Sequence, residues 1–190
     1  MFETLLSSFS LVAVSEMGDK TQLLAFSLAA RFRKPGPVLA GIFIATIANH
    51  ALAAGAGTWV ASHFSPRTLA IGVGVLFVAF GIWTLKPDTL DDAGEEKDFG
   101  PFLTTAVLFF IAEMGDKTQF ATMTLGARYG SAFLVTIGTT LGMMVTDGLA
   151  VFLGERLSER VQMKPIRWFA AALFLGFGVV SLYQGFTSSP

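Results

Sequence analysis

Apolar residues fill six long stretches of this chain, near residues 4–30, 38–62, 68–85, 101–127, 131–154 and 166–186, parted by polar breaks. A helix needs about 20 residues to cross a hydrocarbon core, so most of these stretches predict membrane-spanning helices. The third is the shortest and lies at the lower end of the workable range. The breaks read RFRKPGP (31–37), SHFSPR (62–67), KPDTLDDAGEEKDFGP (86–101), ARYGS (127–131) and ERLSERVQMKP (155–165). Only the third break is long. It holds two lysines against six acidic residues, with Pro and Gly among them, and reads as a solvated linker between two halves. The same charges could also gather cations at a pore mouth.

Composition agrees with a membrane protein. Of 190 residues, 53% are hydrophobic and 14% charged, where soluble domains carry about 25% charge. The 19 Phe and 20 Gly also suit lipid-embedded helices. The absence of Cys excludes disulfides, thiolate metal sites and cysteine nucleophiles. No cleavable signal peptide is expected, because the first apolar stretch is too long and has no basic flank before it. The basic residues orient the bundle. Arg31, Arg33, Lys34, Lys86, Lys97, Arg156, Arg160 and Lys164 lie in breaks one, three and five, with Arg167 just after the last, whereas breaks two and four hold only Arg67 and Arg128. By the positive-inside rule both termini lie outside and the acidic linker is cytoplasmic.

EMGDKT occurs at residues 16–21 and again at 113–118, an offset of 97 residues. The same offset superposes Leu28 on Leu125, Arg31 on Arg128, Gly41 on Gly138, Gly57 on Gly154 and Gly81 on Gly178. The repeat therefore spans three helices. It divides the chain into a first half (1–85), a linker (86–100) and a second half (101–190). Three spans per half is odd, so the second half must enter the membrane from the opposite face. The expected fold class is an all-α membrane protein of six transmembrane helices, arranged as two inverted three-helix repeats. In such transporters the site lies near the midplane, at the repeat interface. Glu16 lies 13 residues from Glu3 and 15 from Arg31, roughly 20 Å and 22 Å along a helix, which centres the motif.

On a continuous helix Glu16, Asp19 and Lys20 share one face, as do Glu113, Asp116 and Lys117. Thr21, Gln22, Thr118 and Gln119 extend that polar surface. Gly18 lets a partner helix or a carbonyl approach, or lets the helix break. A charge at a helix centre costs about 2.5–3.5 kcal/mol, so the six come to roughly 15–20 kcal/mol before pairing. Two lysines cannot balance four carboxylates, and a divalent cation or two protons would cancel the surplus of −2. Buried ion pairs alone are the structural alternative.

Oxygen ligands suit Ca²⁺, Mg²⁺ or Mn²⁺. His63, at a helix end, reads as a solvated loop residue. His50 lies mid-helix beside Asn49, and its repeat counterpart is Asp147, a fifth carboxylate that could be a ligand, a proton carrier or a satisfied polar contact. Met17 and Met114 would favour Mn²⁺ if they pointed inward, but Met is more often a packing residue. The small residues of GTTLG (138–142) and AAGAG (53–57) serve close helix packing.

The twin Glu-x-Gly-Asp-Lys-Ser/Thr motif, one copy in each half, resembles the signature of a family of membrane cation–proton exchangers that includes Golgi and chloroplast manganese/calcium transporters and bacterial manganese exporters. The resemblance covers essentially the whole chain, and both motifs match without departure. It implies exchange of a divalent cation for protons, with Glu16, Asp19, Glu113 and Asp116 as the metal site. Lys20, Lys117, Thr21, Thr118, Gln22, Gln119, Asn49 and Asp147 would support or gate it. The absence of the long N-terminal extension of organellar members fits a bacterial inner (plasma) membrane.

The expected mechanism is alternating access, in which ionised carboxylates take M²⁺ from the cytoplasm and protons replace it outside. Charge balance suggests about two protons per ion. Mn²⁺ is the first choice of substrate and Ca²⁺ the second. The expected partners are the ion, protons and membrane lipid, with no nucleic acid and no cofactor; self-association is allowed. Rival readings are an exporter of a cationic amino acid such as lysine, a passive cation channel, and an intramembrane acid–base enzyme. The last has no supporting motif.

Overall fold

The structure, a computed structural model, describes residues 1–86, 99–153 and 163–187. Lys97, Arg156, Arg160, Gly154 and the acidic residues of the linker lie outside the described residues. Eight helices and no strand are present among those described: α1 (Phe2–Ser15), α2 (Lys20–Phe32), α3 (Pro35–Ala61), α4 (Pro66–Thr84), α5 (Pro101–Glu113), α6 (Lys117–Tyr129), α7 (Ala132–Leu153) and α8 (Met163–Thr187).

Local chemistry sets several of these ends. Pro35, Pro66 and Pro101 each open a helix in its first turn, where a missing N–H costs nothing. The Ser65 hydroxyl caps α4 by accepting from the Thr68 N–H. Arg33 and Gly130, which the 97-residue offset superposes, close α2 and α6 in the left-handed conformation at φ 53° and 62°.

Among the described residues four helices are long and apolar enough to cross a membrane: α3, α4, the stretch Ala132–Phe152 of α7 and Trp168–Thr187 of α8. The chain is a membrane protein, and its exterior agrees. Phe133, Phe152, Trp59 and Tyr183 are each more than two-thirds exposed, while Thr46, Thr122, Thr139, Glu16 and Asp147 are buried. Such a surface suits lipid, not water.

The stretches 4–30 and 101–127 are not the continuous helices that their length predicted. Each is broken at its motif, giving α1/α2 and α5/α6. The reading that Glu16, Asp19 and Lys20 share a face of one helix is therefore overturned, and so is its counterpart in the second half. The cause is Gly18 at φ +82° and Gly115 at φ +78°, a backbone region that right-handed helices do not visit.

The long helices α3 and α7 occupy the centre. α3 packs on α5, α6 and α7; α7 packs on α1, α2 and α3; α4 and α8 form an extensive pair beside them. Glycines permit the closest contacts. A Cβ at Gly41 would lie 2.6 Å from the Phe102 carbonyl oxygen, and one at Gly138 would lie 2.9 Å from the Leu5 carbonyl oxygen. These two contacts are repeat counterparts. The small residues of 138–142 and 53–57 thus pack helices, as expected: Gly142 meets α1, and Gly57 meets α6.

Candidate metal centre

Each motif builds a helix break. Glu16 ends α1, Gly18 turns the chain, and Asp19 starts α2 with its Oδ1 accepting from the Lys20 N–H at 2.8 Å. Gln22 reaches back, its Oε1 accepting from the Gly18 N–H at 2.9 Å; Gln119 does the same for the Gly115 N–H at 2.8 Å. This is a variant of the capping box, in which a residue in the first turn satisfies a donor before the helix. The remaining carboxamide protons anchor the breaks to the central helices. Gln22 Nε2 donates to the Thr146 carbonyl on α7, and Gln119 Nε2 to Asn49 Oδ1 on α3, each at 3.2 Å. Asn49 Nδ2 in turn donates to the Phe110 carbonyl at 3.1 Å.

The two motifs meet and exchange charges. Lys20 Nζ lies 3.1 Å from Asp116 Oδ1, and Lys117 Nζ lies 3.4 Å from Asp19 Oδ1. Each lysine therefore pairs with the aspartate of the other half, not with its own. Thr46 on α3 donates to the Met143 sulfur on α7 at 3.3 Å. These two residues are themselves counterparts at the 97-residue offset.

Within this symmetric frame the glutamates differ. Glu16 accepts from Thr21 Oγ1 at 2.9 Å and also from Thr118 Oγ1 of the other motif. Glu113 is equally buried, yet neither of its oxygens has a hydrogen-bond partner among the described residues. Asp19 Oδ2, Asp116 Oδ2 and both oxygens of Asp147 are likewise unpartnered. Oxygens of Glu16, Asp19 and Asp116 lie within 4.8 Å of one another. Glu113 stands outside that trio but within electrostatic reach of Glu16 and both aspartates. Buried carboxylates without donors are costly, by several kcal/mol each. A hard divalent cation, which seeks oxygen ligands, offers these lone pairs a partner.

The family comparison follows the same division. The sequence profile described as "Divalent cation/proton antiporter GDT1" matches this chain twice, over residues 4–92 and 101–189. The chain belongs to the GDT1 family. The family is described as one of transporters. A Vibrio cholerae protein named "Putative manganese exporter" is 46% identical over 169 residues, covering 88% of this chain and 84% of that protein. "GDT1-like protein 3" of Arabidopsis thaliana is 30% identical over 211 residues, covering 96% of this chain and 71% of its own length. A GDT1-like protein of Synechocystis is 31% identical over 193 residues, covering 90% and 92%. No solved structure matches the chain.

Of the candidate GDT1 site residues, the trio and both lysines come together, with Thr21, Thr118, Gln22, Gln119 and Asn49 bonded around them. Met114 is 59% exposed. His63 is exposed at the end of α3, its Nδ1 2.8 Å from the Trp59 carbonyl oxygen. Sequence reasoning missed the contact of Thr46 with Met143 and the carbonyl of Thr146. The first left a signal in the sequence, since the two residues are counterparts at the 97-residue offset and each lies mid-helix. The second is a main-chain group and leaves no trace in residue type.

Proposed function

We propose that this chain exports a divalent cation, Mn²⁺ first and Ca²⁺ second, from the cytoplasm in exchange for protons. The observation that carries the reading is the buried trio Glu16, Asp19 and Asp116, with further unpartnered oxygens on Glu113, at two helix breaks that exchange ion pairs. Mn²⁺ comes first because the Vibrio cholerae relative is named for manganese. The four motif carboxylates, less two lysines, leave two negative charges for one M²⁺ or two protons to cancel. That gives about two protons per ion.

In this reading the chain forms two inverted three-helix halves, 1–85 and 101–190, joined by the linker 86–100. Each half has one broken and two continuous spans. The doubled profile match and the superposable helix contacts support it. Both termini face outward across a bacterial inner membrane, and α2 descends to the cytoplasmic side with Arg31, Arg33 and Lys34 at its end. Access alternates as the halves rock. The described state favours cytoplasmic access: Lys20 is 24% exposed on the α2 side, whereas Lys117 on α6 is 4% exposed. α6 also buries Thr124, Gly126 and Ala127, whose counterparts Ser27, Ala29 and Ala30 on α2 are not buried.

Everted vesicles carrying an acidified lumen and a pH dye test this. Mn²⁺ should release lumenal protons with the native chain, and the Glu16→Gln, Glu113→Gln double variant should release none. Undiminished exchange in that variant would refute the mechanism, and displacement of Mn²⁺ by lysine would favour amino-acid export.

A further inference from the structure

Within the described residues of the two central helices, α3 and α7, the repeat is broken at one ionisable position. The 97-residue offset places Asn49 on Thr146 and His50 on Asp147. The first pair does equivalent work, since each member receives the Gln side chain of one motif. The next residue on each central helix is fully buried: His50 on α3 and Asp147 on α7. Their surroundings differ. Asp147 acts electrostatically on both Glu16 and Glu113 and is acted on by Asp19. Neither of its oxygens has a hydrogen-bond partner among the described residues. The two ring nitrogens of His50 are likewise without a hydrogen-bond partner among the described residues.

We propose that Asp147 is a further cation-binding carboxylate, supplied by α7 alone, that makes the two halves of the site inequivalent. This deepens the proposed function and rests on it; an ionised Asp147 raises the anionic surplus of the site from two to three, so the count of two protons per ion holds for the motif carboxylates alone. The lysines are engaged with Asp19 and Asp116, so three further carboxylates, Glu16, Glu113 and Asp147, share the same electrostatic neighbourhood. A carboxylate that structure alone required would take a donor from the many buried threonines or from a main-chain N–H; this one takes none. Six-coordinate oxygen sites suit Mn²⁺ and Mg²⁺; Asp147 lies outside the trio whose oxygens meet within 4.8 Å, as Glu113 does, and is offered to an ion there from α7. At the equivalent place on α3 the chain offers an imidazole, so an ion on the α7 side meets one carboxylate more.

The test is Mn²⁺ binding to the purified full-length protein in lipid nanodiscs, read by titration calorimetry or by the Mn²⁺ spin signal. Asp147→Asn should weaken binding by about tenfold or more, on the scale seen when groups around a metal are lost. Asp147→Glu should recover most of it, and His50→Asn should stay within about twofold of the native protein. Melting without Mn²⁺ separates folding from binding: Asp147→Asn should melt no lower than the native chain, since it removes a buried charge that has no donor. Native-like Mn²⁺ affinity in Asp147→Asn, with binding lost in Glu16→Gln, overturns the role of Asp147 and leaves the proposed function standing. Native affinity in Glu16→Gln overturns the proposed function itself. Should Asp147→Asn fail to fold, Asp147→Glu decides alone: affinity within a few-fold of native supports the role, and a tenfold loss overturns it.

Discussion

Lys117 and Lys20 occupy the same place in the two motifs, but their environments differ. Lys117 and Asp19 are both almost fully buried, so Lys117→Met leaves a carboxylate in a dry interior without its cation. Breaking such a pair costs about 3–5 kcal/mol. Lys20 keeps a quarter of its surface open, and water can take over part of its work. Lys117→Met should therefore lower the melting temperature of the purified protein clearly more than Lys20→Met; equal losses would contradict the cross-paired arrangement. The identities of these residues, and the anionic surplus they leave, were legible in the sequence. Their partners were not. Reading EMGDKT as one helical turn assigns each lysine to a carboxylate four residues away, whereas the partner lies 96 or 98 positions along the chain.

The helix breaks were the least legible elements. An apolar stretch such as 101–127 looks the same whether the backbone continues or turns once inside it, and glycine at a helix centre fits close packing as readily as a positive φ. Only the local chemistry after the turn carries a signal, in the Asp that caps and the Gln three residues later. Gly115 offers a clean measure of how much the break matters, because a Cβ there would touch nothing within 4 Å. Gly115→Ala should cost about 1–2 kcal/mol through backbone strain alone. Mn²⁺-driven proton release in vesicles should fall further than that loss of folded protein explains, because the break positions Glu113 and Asp116. Gly126→Ala tests packing instead. Its Cβ would lie 2.5 Å from the Ala54 carbonyl oxygen, pushing α6 off α3 at a cost of about 1–3 kcal/mol. The counterpart on α2 is already alanine, Ala29, so α2 tolerates what α6 should not.

For the molecule as a whole, the repeat offset turns a sequence pattern into a statement about sides. Lys34 and Ser131 are 97 residues apart, and each follows the left-handed residue that ends a half-helix. Parallel halves would put both on one side of the membrane; inverted halves put them on opposite sides. In the proposed arrangement of one broken and two unbroken crossings per half, parity favours inversion, since a chain that crosses three times finishes opposite to where it began. Native cysteine is absent, so a single introduced thiol reports without background. In sealed vesicles of one orientation, a membrane-impermeant maleimide added outside should label either Lys34→Cys or Ser131→Cys, and everting the vesicles should exchange the two. The basic cluster Arg31, Arg33 and Lys34 gives the direction: Lys34→Cys should react from the cytoplasmic face. Labelling of both thiols from one face would put the halves in parallel. The reciprocal lysine–aspartate pairs fit a twofold axis in the membrane plane or along its normal, so the labelling pattern is what decides between inverted and parallel halves.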